Sequence, residues 1–306
     1  MRKGFTLIEM IFVIVISSAL ALGTFKAIQA LYVRSTKAQA ITQLSLRSQI
    51  VLDQISLMLY NRIPNSVIGY NITDGSCEPI SELTDNDKTI LEWLGSMDDE
   101  LLAGDYDGFV DMGASNRDTD ILATPYMKSD FDDTDVNLVF AGSFDEGTEE
   151  STKACSGAFG WHGNTHTLAY SINITDENKT RLTDLEADQP QYIYEEYYLT
   201  KTAYAIARGE DLVLNNVENE CNYDTSKLKD FDTTLFLFYD YQPFLGETFC
   251  GDSQGTRSGK VSVLAQDISA FEAQYINETI RINLDSNRSI RGSQNDVHIS
   301  KQKAVF

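Results

Sequence analysis

From Phe5 to Phe25 the chain runs 21 residues with a single charge, Glu9. As an α-helix rising about 1.5 Å per residue, this segment is about 31 Å long, the thickness of a bilayer's hydrocarbon core. The carboxylate is the constraint. An acidic side chain inside such a segment costs about 2.5–3.5 kcal/mol on the insertion scale for Asp, and Glu is comparable. One reading is a removable secretory signal, with Arg2 and Lys3 as basic flank, Phe5–Ile16 as apolar run and Ala19-Leu20-Ala21 as the small-residue cleavage site. Glu9 argues against it, because a segment destined for removal has no use for that cost. A carboxylate in an apolar span reads as functional and calls for a cationic partner. Orientation stays open on charge alone, since Arg2 and Lys3 precede the span while Lys26, Arg34 and Lys37 follow it.

The helix is expected to continue. Pro64 is the first proline and Gly23 the only glycine between Gly4 and Pro64. Apolar residues recur at Ile41, Leu44, Val51, Ile55, Met58 and Leu59, with Ser48 filling the gap, while Lys37, Gln43, Arg47, Gln54 and Asn61 take the other face. Pro64 and Asn65 give the stop signal, so one helix of about 87 Å is predicted from Phe5 to about Arg62. Its first half is apolar all round. Its second half needs a partner along one side, and a sheet is the natural one.

Beyond Pro64 strands are predicted over Asp135–Ala141, His166–Ile174, Tyr192–Arg208, Asp211–Asn215 and Thr233–Tyr241, and over Lys260–Leu284 in two or three pieces. Charge divides the chain unevenly. Residues 1–60 hold six basic and two acidic residues; the remainder holds 18 against 44, within a total of −22. A surface that acidic repels phosphate backbones, which disfavours nucleic acid as a partner.

Cys77, Cys155, Cys221 and Cys250 all follow the apolar span, an even set that implies two disulfides on the exported side. Three pairings are open. Cys221 and Cys250 flank the run Thr233–Tyr241, which favours joining them, and Cys77–Cys155 then closes residues 75–160, an Asp- and Gly-rich stretch that reads as an insertion. Asp105, Asp107 and Asp111 crowd around Gly108, a candidate Ca²⁺ loop that lacks the bidentate Glu of the twelve-residue pattern, so solvated charge is the plainer reading. Gly251-Asp-Ser253-Gln-Gly255 matches G-x-S-x-G without the strand–turn–helix context of a nucleophile elbow. His162 and His166 have a two-ligand spacing, but Gly163 and Asn164 between them disfavour a helix.

The run Lys3-Gly4-Phe5-Thr6-Leu7-Ile8-Glu9 resembles the processing signal of type IV pilins and of the pseudopilins of type II secretion. The resemblance implies a prepilin peptidase that cuts after Gly4 and N-methylates Phe5. It implies that Glu9 then pairs with the α-amine of a neighbouring subunit during assembly, one buried charge cancelling another. It divides the chain into a leader (1–4), a transmembrane and fibre-core helix (5–25), an amphipathic stalk (26–62) and a periplasmic acidic head (63–306). The implied fold is α+β and pilin-like, a long N-terminal helix packed on an antiparallel β-sheet. Tyr198–Arg208 and Val263–Phe271 are similar to segments of large minor pilins and minor pseudopilins, some of which bind calcium. The function so implied is a non-enzymatic structural subunit at or near the tip of a fibre, as initiator or adaptor, with no cofactor beyond the candidate calcium. Its partners would be other pilins or pseudopilins through helix packing, the peptidase, an inner-membrane assembly platform, and secreted substrates or a surface ligand. Its place would be the inner membrane, single-pass, with the head in the periplasm and the assembled form in a periplasmic or extracellular fibre. The alternative is an exported or membrane-tethered enzyme with a cleavable signal, a serine hydrolase using Ser253 or a metal enzyme using the two histidines.

Overall fold

The computed structural model describes residues 6–83, 88–116, 119, 121–128, 130–142, 154–164, 166, 168–176, 179–183, 190, 192–252, 256–290 and 296–306. One helix, α1 (Leu7–Tyr60), dominates it, 54 residues and thus about 81 Å long. It stops two residues before the predicted end because Asn61 leaves helical geometry and Arg62 turns back, donating from Nη1 to the Leu59 carbonyl at 2.6 Å. From Thr6 to Tyr32 every residue is exposed. Two hydroxyls in this stretch close on their own helix: Ser18 Oγ donates to the Ile14 carbonyl and Thr24 Oγ1 to that of Leu20, both at 2.7 Å. That return bonding leaves those groups without a demand on the surroundings, as an apolar medium requires.

The second half of α1 buries Ala40, Leu44, Ser48, Val51, Leu52, Ile55, Ser56 and Leu59. The sequence places Ile41 on this face. Ile41 is in fact 42% exposed, and the smaller Ala40 is buried in its place. The stripe lies against two sheets. One is a six-stranded sheet in which Ile90–Gly95 and Thr202–Arg208 are central neighbours, flanked by Leu235–Tyr241 and Lys260–Ala265 on one side and Ile68–Asn71 and Ser76–Pro79 on the other. The other is a three-stranded meander, Ile268–Ile276, Thr279–Arg288 and Val297–Val305. Thr279–Arg288 alternates as its sequence suggests, turning Ile280, Ile282, Leu284 and Ser286 inward. Leu52, Ile55 and Leu59 join Leu91, Trp93 and Ile206 of the large sheet and Ile282 and Leu284 of the meander in one core. Ser48, the polar gap in the stripe, meets Ser286 with Oγ–Oγ 2.8 Å, so neither hydroxyl is buried unpaired.

The opposite face of the large sheet carries an aromatic core of Tyr70, Phe236, Phe238, Tyr241 and Phe249, closed over by the segment around Trp161. A third core lies with a five-stranded sheet of Ile121–Ala123, Lys179–Thr183, Tyr170–Asp176, Asn137–Phe140 and Tyr197–Thr200. The paired strands of these three sheets are antiparallel; Glu247–Phe249 and Thr256–Ser258 form a short parallel pair. The fold is therefore α+β, a long N-terminal helix on antiparallel sheets, with more sheets than the one foreseen.

Three differences from the sequence expectations have simple causes. Ile90–Gly95 lies inside residues 75–160, the expected insertion, yet it is a central strand; Glu92 interrupts its apolar run and hides it. Asp211–Asn215 is not a strand, because Gly209–Asp211 forms a 3₁₀ turn and the short helix at Leu214–Asn219 takes up the rest. Tyr192–Arg208 supplies two strands that belong to different sheets, breaking at Lys201.

Candidate assembly site and a buried charge cluster

Thr6 starts α1 in extended geometry, φ −78° and ψ 150°, with Glu9 three residues on. The Thr6 backbone N–H and hydroxyl both donate to Glu9 Oε2 at 2.9 Å. This is the carboxylate arm of a capping box, satisfying one of the helix's orphan N–H groups. It also holds the carboxylate beside the first turn of the helix. Gly4 and Phe5 lie outside the described residues.

A second site was not foreseen. Glu92 sits in the middle of the central strand and Asp252 follows Cys250, and both are fully buried. Between them lies His162, with Nε2 2.9 Å from Glu92 Oε1 and Nδ1 3.1 Å from Asp252 Oδ2. Two tyrosines complete the shell: Tyr241 donates to Glu92 Oε2 at 2.7 Å and Tyr70 to Asp252 Oδ1 at 3.2 Å. The Tyr70 ring also stacks on the imidazole, centroids 3.6 Å apart and planes 15° from parallel. His162 reaches this position in left-handed geometry (φ 52°) between Gly160 and Gly163, both at φ 82°.

Only an imidazolium donates to two carboxylates at once. Burial by itself pushes the His162 pKa down, but the Glu92 charge and the hydrogen bonds to Asp252 and Glu92 overcome it and lift it from 6.5 to about 9. Tyr70 and Tyr241 are pushed well above the ordinary phenol value, first by burial and then by the neighbouring carboxylates. Each carboxylate thus has a histidine and a tyrosine donor, the condition under which buried charge is tolerable.

Both ring nitrogens of His162 are committed, so it has none to serve a nucleophile; Ser253 lies outside the described residues. His166 places Nδ1 3.1 Å from the Ala169 carbonyl and does not join His162. Asp105 faces Lys128 at 3.3 Å. Asp107 accepts from the backbone N–H of Phe109 and Tyr126, and Asp111 from those of Gly113 and Ala114. Among the described residues no three His, Cys, Asp or Glu side chains gather as a metal site. The cysteines pair as Cys77–Cys155 and Cys221–Cys250, with Cα atoms 5.7 and 5.6 Å apart. The first bridge ties the segment leading to His162 back to the large sheet; the second anchors the chain two residues before Asp252.

Residues 1–25 match the family model of the prokaryotic N-terminal methylation motif. No curated protein and no solved structure matches the chain.

Proposed function

We propose that this chain, which carries the prepilin-type N-terminus of the type IV pilin-like proteins, is a structural fibre subunit held in the inner membrane by the first half of α1. The supporting observation is a coincidence: the methylation motif opens a 54-residue helix whose first half is wholly exposed and whose second half is sealed onto a disulfide-bonded head. Cleavage after Gly4 would free an amine at Phe5, four residues from Glu9, and a parallel neighbour's amine would satisfy the carboxylate that Thr6 holds in the lone chain. Within that class, the head's size fits a minor subunit at or near the tip, an initiator or adaptor present in a few copies. Because Glu9 is retained, the subunit can sit beneath another. The committed nitrogens of His162 favour a structural over a hydrolytic role. Glu9→Ala tests the reading: processing should remain, while recovery in fibres or in complexes with other subunits should drop. Normal incorporation of the variant refutes it.

A further inference from the structure

Four cations on the stalk, Lys26, Arg34, Lys37 and Arg47, form no ion pair among the described residues. The head behaves differently: Lys128, Lys201, Lys229, Lys260 and Arg288 each rest on a carboxylate. At about 100° per residue, Lys26, Arg34 and Lys37 lie on the side of α1 that the head occupies higher up, below its first buried contact at Ala40. Leu31, Arg34 and Lys37 follow one another at i, i+3 and i+6, next to Ala27 and Ala30. They form a small-residue, apolar and cationic face on which Leu31 and Arg34 are exposed and Lys37 is half-buried.

At the far end of the same helix a cleft of about 700 Å³ opens beside Leu57 and Met58. Leu57 is 67% exposed there, and Tyr204 and Tyr239 extend the apolar floor. Asp98, Asp99 and Glu100, from the short helix after the central strand, form its wall. Five acidic residues line the cleft against two lysines, and one of these, Lys260, is held by Asp240 at 2.6 Å. The cleft is therefore an apolar trough with a net negative wall, at the end of the helix whose own lower part is apolar and positive.

We propose that this cleft holds the stalk face of residues 26–37 from a second copy of this chain, lying parallel and displaced along the helix axis. Setting Arg34 of one copy level with Leu57 of the other requires a shift of 23 residues, about 35 Å. The lower copy's head then stands directly under the upper copy's head, where Lys26, Arg34 and Lys37 face down the helix. Leu31 meets the floor, while Arg34 and Lys37 meet Asp99 and Glu100. Opposite charge fixes the register, and the apolar floor supplies the adhesion. This contact rests on the assembly reading above and adds to it a specific stagger and two matched surfaces.

Site-directed cross-linking of the processed full chain, extracted into detergent micelles where no bilayer holds the apolar spans of two copies at one depth, tests it. All four native cysteines are bonded, so an added cysteine is the only free thiol. Chains carrying Arg34→Cys are mixed with chains carrying Asp99→Cys and oxidised. The expected result is a mixed disulfide dimer, well above a control that pairs Arg34→Cys with Lys227→Cys on the remote surface. On a second background with Leu31→Cys and Leu57→Cys, reversing Arg34→Glu and Lys37→Glu should lower the yield about tenfold, and Asp99→Lys with Glu100→Lys should restore it. A 34/99 yield no higher than the control, or a reversal that the opposite reversal fails to rescue, overturns the inference. A complex between a tagged and an untagged copy of the unmodified chain, captured through the tag, separates the two readings. If it forms without the 34/99 link, the cleft contact alone is wrong; if neither forms, the assembly reading falls with it.

Discussion

The buried His162 should make the head's stability fall with alkalinity in a defined window. Its pKa rises from 6.5 to about 9 on folding, so the folded state binds a proton more tightly than the unfolded chain. The stabilisation is complete below pH 6.5 and is lost as pH climbs through about 9. A shift of about 2.5 units at about 1.4 kcal/mol per unit amounts to about 3.5 kcal/mol over the whole titration. Tyr70 and Tyr241 stay protonated across this window, because burial holds their pKa values above it, so they remain donors while the histidine titrates. The assay is urea unfolding of the full chain in detergent micelles, followed by tryptophan fluorescence. Both tryptophans, Trp93 and Trp161, are buried and neighbour Glu92 and His162 in sequence, so their emission reports directly on this region. Stability of the wild type should decline by about 3 kcal/mol from pH 6 to pH 10. His162→Gln should be less stable at pH 7 and show a much flatter profile, since glutamine carries no charge between the two carboxylates. A wild-type profile without a decline, or a variant with the same slope, refutes the assignment of the buried proton.

Three further outcomes follow from the geometry. Removing the Cys77–Cys155 bridge with paired serines frees a closure of 78 residues and should cost about 4 kcal/mol by chain entropy, read as a lower urea midpoint; removing Cys221–Cys250, which spans 29, should cost less. Gly160 and Gly163 share φ 82°, but a Cβ on Gly160 would come within 2.4 Å of the Pro243 carbonyl oxygen, whereas one on Gly163 meets nothing within 4 Å. Gly160→Ala should therefore lose about 3 kcal/mol and Gly163→Ala about 1 kcal/mol, compared by the same unfolding curves.

Much of the architecture was legible where one physical signal dominated. The helix Leu7–Tyr60 follows from an uninterrupted apolar run, a three-four stripe and no early proline. Its partner face was misjudged at Ile41, which stays exposed while Ala40 is buried. The first two strands of the meander were legible because Thr279–Leu284 alternates cleanly; Val297–Val305 was not foreseen, because its half-buried positions carry Lys301 and Lys303, which reach Gln49 and Asp53 on α1. The central strand Ile90–Gly95 was not, and the reason is instructive. Glu92 breaks its apolar pattern, and a single charge in such a run reads as a boundary unless a partner is known. That partner, His162, lies 70 residues away on a glycine-rich turn, and Asp252 lies another 90 beyond it. Phe159-Gly-Trp-His-Gly163 did carry a clue, since glycines flank the histidine in left-handed geometry. Local pattern has no access to pairings of that range. Glu9 stands out in the sequence for the converse reason: a carboxylate in a continuous apolar helix has no ordinary explanation.

The most direct test is the mass and sequence of the N-terminus in protein purified from its native membrane. The expected product begins at Phe5 with one added methyl group on its amine, four residues shorter than the translated chain. A chain that begins at Leu22, or keeps Met1 through Gly4 once it has been exported, contradicts a fibre subunit that relies on a neighbour's free amine to neutralise Glu9.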